Sequence, residues 1–173
     1  MSANPLLAPL SCVRIFQGLS TAQLEAIARH AERIVYRPGE IITAAGADAD
    51  AAVLIVGGAS ERIIEGMPSH VEPVQAGSLV GEMAMFIDHV YGATIRAKGS
   101  VRALRITRSG MHRQMLDDAS LADHCVRMIS ARLSDVAAEL RRIDTSLAYP
   151  IEATTLAASR VEASGPSLLI PVH

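Results

Sequence analysis

Cysteine is scarce, lysine occurs only as Lys98, and there is no surplus of positive charge: Lys+Arg is 16 against Asp+Glu 18, a formal net charge of -2. A nucleic-acid-binding domain ordinarily carries a basic excess or a locally basic element, and neither is found, so DNA binding is not expected. The two cysteines, Cys12 and Cys125, lie far apart. They cannot supply the roughly four ligands of an iron-sulfur centre. The opening MSANPLLAPL has neither a charged n-region nor an A-x-A cleavage site, which reads as a protein of the reducing cytoplasm. Long apolar runs are absent too; a stretch such as Ala51 to Ala59 suits a strand and falls well short of the ~18 residues that a bilayer demands. No membrane association is expected.

What is present is enough for a core. The chain has 173 residues, 50% hydrophobic and 20% charged, the composition of one globular domain with about two thirds of its unfolded surface buried. Residues 1–18 read as a short helical or irregular lead-in with Pro5 and Pro9. Ser20 and Gln23 have the capping-box spacing, and Leu24, Ile27, Ala28 and Ala31 share one face, predicting a helix to about Arg33. From Ile34 to Thr107 short Val, Ile and Ala runs alternate with glycine-bearing turns, without intervening helices, which predicts an antiparallel β-roll. Glu82 to Phe86 interrupts that rhythm as one short embedded helix.

After Thr107 a short helix is expected over Arg108 to Leu116 and a long one from Ser120 to about Ser146, with Asp117 and Asp118 as the linker between them. Val126, Ile129, Leu133, Val136, Leu140 and Ile143 step by alternating threes and fours, the a/d seam of a coiled coil, and Ala119, Ala122 and Leu147 continue its register. Such a stripe either covers the β-roll or joins two subunits; its length favours a homodimer. Pro150 is expected to end the helix, leaving residues 147–173 as a flexible tail closed by Leu168, Leu169 and Ile170. The architecture is α+β: a jelly-roll-like β-roll (a double-stranded β-helix) with an N-terminal helix, a short embedded helix and a long C-terminal helix, the domain proper spanning 19–146.

This order resembles the cyclic nucleotide-binding domain of the catabolite-activator superfamily. The resemblance runs from about Asn4 to Asp144, carried by Asn4-Pro5-Leu6-Leu7, Ile15-Phe16-Gln17-Gly18-Leu19-Ser20, Tyr36-Arg37-Pro38-Gly39-Glu40-Ile41-Ile42 with Gly46, and Leu54-Ile55-Val56-Gly57-Gly58. It implies a ligand site in a phosphate-binding cassette, here Val80, Gly81, Glu82, Met83 and Ala84 followed by Tyr91, Gly92, Ala93 and Thr94, with cAMP or cGMP as the implied ligand. Gly81 would let the backbone approach a ligand, and Glu82 stands where the family's acid accepts the ribose 2′-hydroxyl. The alternative account of Glu82 is a helix N-terminal acid favourable to the dipole.

The second half of the cassette departs from the family. Tyr91 stands where the family has the arginine that forks onto the cyclic phosphate, and Gly92 where it has Ser, Thr or Ala. Losing a charge-assisted pair costs on the order of 2 to 5 kcal/mol, a factor of tens to thousands in affinity. Arg96, Arg62, Arg127 and His89 are the other cations to weigh, with Arg96 expected at the surface of its strand. His30, His70, His89, His112, His124 and His173 show no His-x-His pair, so a cupin-type metal site is not expected. No catalytic signature is present, so the chain is not read as an enzyme. Two functions stay open: a regulatory domain sensing cAMP, cGMP or a related small ligand and signalling through its C-terminal helix, or a degenerate fold that has lost nucleotide binding and serves as a dimerisation or protein-interaction module, with Tyr91 filling the emptied phosphate site.

Overall fold

Two helices precede the strands. In the computed structural model, which describes the backbone of residues 5–64 and 70–161 and the side chains of 5–64 and 70–144, α1 spans Leu7–Cys12 and α2 spans Thr21–His30. Ser20 caps α2 as its spacing predicts: its Oγ accepts the Gln23 amide at 3.3 Å while Gln23 Oε1 accepts the Ser20 amide at 2.9 Å. Leu24, Ile27 and Ala28 form the buried face. The helix stops at His30 rather than Arg33, because Glu32–Tyr36 is already strand β1, laddered antiparallel to the last strand from Glu32 opposite Arg105 to Tyr36 opposite Val101.

Nine further strands follow: β2 (Ile41–Thr43), β3 (Asp48–Ala49), β4 (Ala51–Gly57), β5 (Ser60–Ile64), β6 (His70–Val74), β7 (Leu79–Val80), β8 (His89–Val90), β9 (Thr94–Ala97) and β10 (Val101–Thr107). They form two four-stranded antiparallel sheets, ordered β1-β10-β4-β7 and β2-β9-β5-β6, and a ribbon of β3 with β8. The core lies between the sheets, where Val53, Ile55, Val101 and Ala103 of one meet Ile42, Ile95 and Ala97 of the other. β4 reads Ala-Ala-Val-Leu-Ile without alternation because both its faces are buried. The β4–β5 hairpin requires a glycine: Gly58 has φ +101, and a Cβ there would lie 2.2 Å from the Ser100 carbonyl oxygen.

Between β7 and β8 the expected short helix is present as a 3-10 helix, Glu82–Met85, and α3 (Arg108–Asp117) packs against it. The last helix, α4, runs Ala119–Val161. Asp118 Oδ1 accepts the amides of Ser120 at 2.9 Å and Leu121 at 3.1 Å, and hydrogen bonds from Ser120 and Gln23 hold its carboxyl at about 2, well below the usual range. Leu121 and Cys125 are buried, and burial pushes the Cys125 thiol up to about 11.

α4 continues through Pro150, which was expected to end it. A proline removes one backbone donor, and the run after it, with Ala153, Leu156, Ala157 and Ala158, has the propensity to propagate. The Leu168-Leu169-Ile170 patch lies outside the described residues. The chain divides into two units, one through Arg127 and one from Met128. Within the first, the lead-in belongs to the core, with Leu10 and Phe16 fully buried. Along α4, Val126, Leu133, Val136, Leu140 and Ile143 are 47–62% exposed, so the apolar stripe is unspent.

Candidate functional site

Gly81 opens the cassette turn in the left-handed region, φ 69 and ψ 37, and its carbonyl accepts the Ala84 amide at 3.0 Å. Only a residue without a Cβ fits comfortably. A Cβ at Gly81 would lie 2.7 Å from Tyr91 Cε1 and 3.1 Å from Cδ1, so the tyrosine ring rests directly on the glycine. The Tyr91 hydroxyl donates to the Ala51 carbonyl at 2.8 Å, its amide donates to the Ala47 carbonyl at 2.9 Å, and its own carbonyl accepts from Gly46 at 2.8 Å. Half-buried and tied at three points, the phenol has its pKa raised by desolvation.

The other candidate residues divide between exposure and internal bonding. Val80 pairs with Val53 and packs on the inter-sheet core. The Met83 carbonyl accepts from the Phe86 and Ile87 amides at 3.0 and 3.1 Å, and Ala84 is fully buried. The Ala93 carbonyl accepts the Thr43 hydroxyl at 3.0 Å, and Thr94 Oγ1 accepts the Ala45 amide at 3.0 Å. Glu82, in the first position of the turn, is half-buried; Gly92 is exposed, with open space beside it.

One residue that the sequence reading passed over holds this assembly in place. Arg108, the first residue of α3, donates from Nε to the Ala84 carbonyl at 3.1 Å and from Nη2 to the Ala49 carbonyl at 2.5 Å, and pairs through Nη1 with Asp88. Its amide donates to the Asp50 carbonyl at 2.8 Å. Three successive carbonyls, Ala49, Asp50 and Ala51, thus receive the Arg108 side chain, the Arg108 amide and the Tyr91 hydroxyl. Local periodicity contains no signal for such a residue, because its partners come from 20 to 59 positions away in sequence.

Arg96 and Arg105 are engaged by carboxylates, and Arg62, His89 and Arg127 are exposed. Arg96 faces away from the core and is bound to Glu61, Nε to Oε1 at 3.0 Å, which lowers the Glu61 pKa, with Lys98 assisting at 3.7 Å. Arg105 is paired with Glu32 at 2.9 Å and Asp50 at 2.6 Å, and the hydrogen bond from Arg105 holds the Asp50 carboxyl below its usual range. Arg62 is exposed in the cross-strand row of Ile95 and Glu72; His89 is exposed on β8 and Arg127 on α4. Among the described residues no group of three His, Cys, Asp or Glu side chains is placed to hold a metal ion, and no helix is long and apolar enough to cross a membrane.

Residues 33–118 match the family profile described as the cyclic nucleotide-binding domain. A solved structure of a cyclic nucleotide-binding-like protein from Brucella abortus is similar at 32% identity and a TM-score of 0.58, over 65% of this chain and 97% of that one. The cAMP-dependent protein kinase regulatory subunit of Emericella nidulans is 30% identical over 101 residues, which is 58% of this chain but only 24% of the subunit. In fold alone, the N-terminal domain of a transcriptional regulator from Streptomyces coelicolor aligns with a TM-score of 0.69 at 16% identity, over 76% of this chain and 94% of that one. With its β-roll, its profile match and these relatives, the chain belongs to the cyclic nucleotide-binding domain family.

Proposed function

We propose that this chain is a regulatory module of the cyclic nucleotide-binding fold whose cassette is closed by its own Tyr91, and that it acts through homodimerisation along α4 rather than through catalysis. The carrying observation is the tyrosine ring seated on Gly81, over the backbone that a cyclic phosphate would have to approach. Arginine at this position would offer a charged fork; tyrosine offers one hydroxyl, already donated to Ala51. Dimerisation is supported by the exposed a/d stripe of Val126, Leu133, Val136, Leu140 and Ile143. A cytoplasmic setting agrees with two unpaired cysteines.

Titration calorimetry of the purified protein with cAMP and cGMP tests the closed cassette. No heat from the wild type, with binding by a folded Tyr91→Arg variant, is the expected result. Micromolar binding by the wild type overturns it in favour of the sensor reading, which Gly81 and Glu82 in the cassette turn support, and Glu82→Ala should then weaken that binding. For the dimer, Leu133→Glu should halve the mass in solution; an unchanged mass would mean that the stripe is not the interface.

A further inference from the structure

We propose that the free edge of β1 docks an extended acidic segment of another protein, added to the sheet as a further strand. β1 is an end strand of the sheet β1-β10-β4-β7, so among the described residues one of its edges has no strand beside it. Such an edge presents a row of backbone donors and acceptors that an extended chain can complete. On its core-facing side β1 carries Ile34 and Tyr36, both half-buried, opposite Ala103 and Val101. On its other side it carries Arg33 and Val35, and Arg102 of β10 lies directly across from Val35. Val35 is 64% exposed, an aliphatic side chain open to solvent in the middle of a basic surface.

Charge defines the occupant. Arg33, Arg37 and Arg102 are exposed, and none has a carboxylate partner among the described residues. The acids beside them are committed: Glu32 to Arg105, and Glu40 Oε2 to the Arg37 amide at 2.7 Å. Arg102 stands opposite Gly57 at a bulge in the ladder, and a Cβ at Gly57 would lie 3.0 Å from its Nη2, so the guanidinium rests over a position without a side chain. A strand laid along β1 alternates as β1 does, with one set of side chains beside the arginines and the other beside Ile34 and Tyr36. The complementary segment therefore alternates acidic and aliphatic residues. A second copy of β1 fits poorly, because in register it brings Arg33 against Arg37 when antiparallel and against Arg33 when parallel. A nucleic-acid strand has no amide row to offer the edge, and the aromatic ring of β1, Tyr36, packs on the core instead of facing out for base stacking.

The probe is a fluorescein-labelled octapeptide of alternating glutamate and valine, blocked at its ends, titrated with the full chain and followed by anisotropy. Saturable binding that weakens with added salt is the expected result. Arg33→Glu and Arg102→Glu, at exposed positions and checked for folding by circular dichroism, should each weaken it by about tenfold. Amide hydrogen exchange gives the location: the amides of β1 that face its free edge, within Arg33 to Tyr36, should slow when the peptide is bound. A peptide of the same composition with its glutamates and valines in separate blocks should bind more weakly, since it keeps the charge and loses the alternation. No binding, binding that both variants leave unchanged, or unchanged exchange over Arg33 to Tyr36 overturns the proposal. Equal affinity for the block peptide overturns it in favour of charge attraction without a strand. Tighter binding of a single-stranded oligothymidylate would make the surface one for nucleic acid, and slowing of the same amides with protein concentration alone would make a second copy the occupant; either result overturns it.

Discussion

If the Tyr91 ring rests on Gly81, the two residues must be energetically coupled, and a double-mutant cycle measures the coupling without any ligand. Gly81→Ala introduces a Cβ at φ +69 and 2.7 Å from the ring. The left-handed backbone costs about 1 to 2 kcal/mol for a residue with a side chain. Overpacking against a ring held by its hydroxyl at one end and its backbone at the other adds about 1 to 3 kcal/mol. In a Tyr91→Ala background only the backbone cost remains, so the coupling between the sites should be about 1 to 3 kcal/mol. The chain contains no tryptophan, so urea unfolding is best followed by far-ultraviolet circular dichroism. With a slope near 2 kcal/mol per molar urea, the coupling appears as a midpoint difference of about 0.5 to 1.5 M. Additivity within about 0.5 kcal/mol would mean that the ring does not occupy the space above the glycine, and the closed-cassette reading would fall with it.

Three further outcomes follow from contacts in the first unit. Arg108→Ala leaves the buried carbonyls of Ala84 and Ala49 without their donor and should lower stability by about 2 to 5 kcal/mol, whereas Asp88→Ala, which removes only an exposed partner, should cost far less; equal losses would show that Arg108 matters through its charge pair. Ser20→Ala removes half of the α2 capping box and should cost about 0.5 to 2 kcal/mol in the same urea assay, with no change counting against the cap. Asp118, held at about 2 against an ordinary 3.8, stabilises the fold at every pH above about 4 and loses that contribution as the pH falls toward 2. The difference in melting temperature between wild type and Asp118→Asn should therefore be largest near neutrality and shrink below pH 4; a constant difference would locate the effect outside the titration.

Legibility in the sequence followed the range of the interactions involved. The α2 cap could be read because its two partners are three residues apart, and the β-roll because its glycine turns recur without helices between them. The end of α2 was misplaced by three residues since a partner some 70 positions away, β10, claims Glu32 to Tyr36. Pro150 misled for the opposite reason: a local rule against proline was outweighed by the propensity of the residues beyond it. At the cassette, the departure from the family at Tyr91 was visible as a residue type. That its ring would lie on Gly81 and its hydroxyl reach Ala51 depended on the β3–β8 ribbon folding residues ten and forty apart onto one another. Arg108 carried no signal at all, being read as the ordinary start of a helix.

These contacts bear on the proposal that the cassette is closed by its own tyrosine. A site built around an arginine leaves a buried cation and a set of backbone donors to be satisfied by ligand or water whenever it is empty. Here polar groups of the cassette find partners within the chain: Tyr91 in Ala51, Ala47 and Gly46, Ala84 in Arg108 and Gly81, Thr94 in Ala45. Substituting a neutral ring for the arginine removes the desolvation cost while keeping the turn, since Arg108 anchors it from α3 independently of position 91. The cassette can therefore be a fixed part of the scaffold, and five of the eleven exposed large hydrophobic side chains among the described residues lie on α4. On the proposed closed-cassette reading, a partner gains by covering five half-exposed aliphatic side chains, whereas a nucleotide would first have to displace a ring bonded in place.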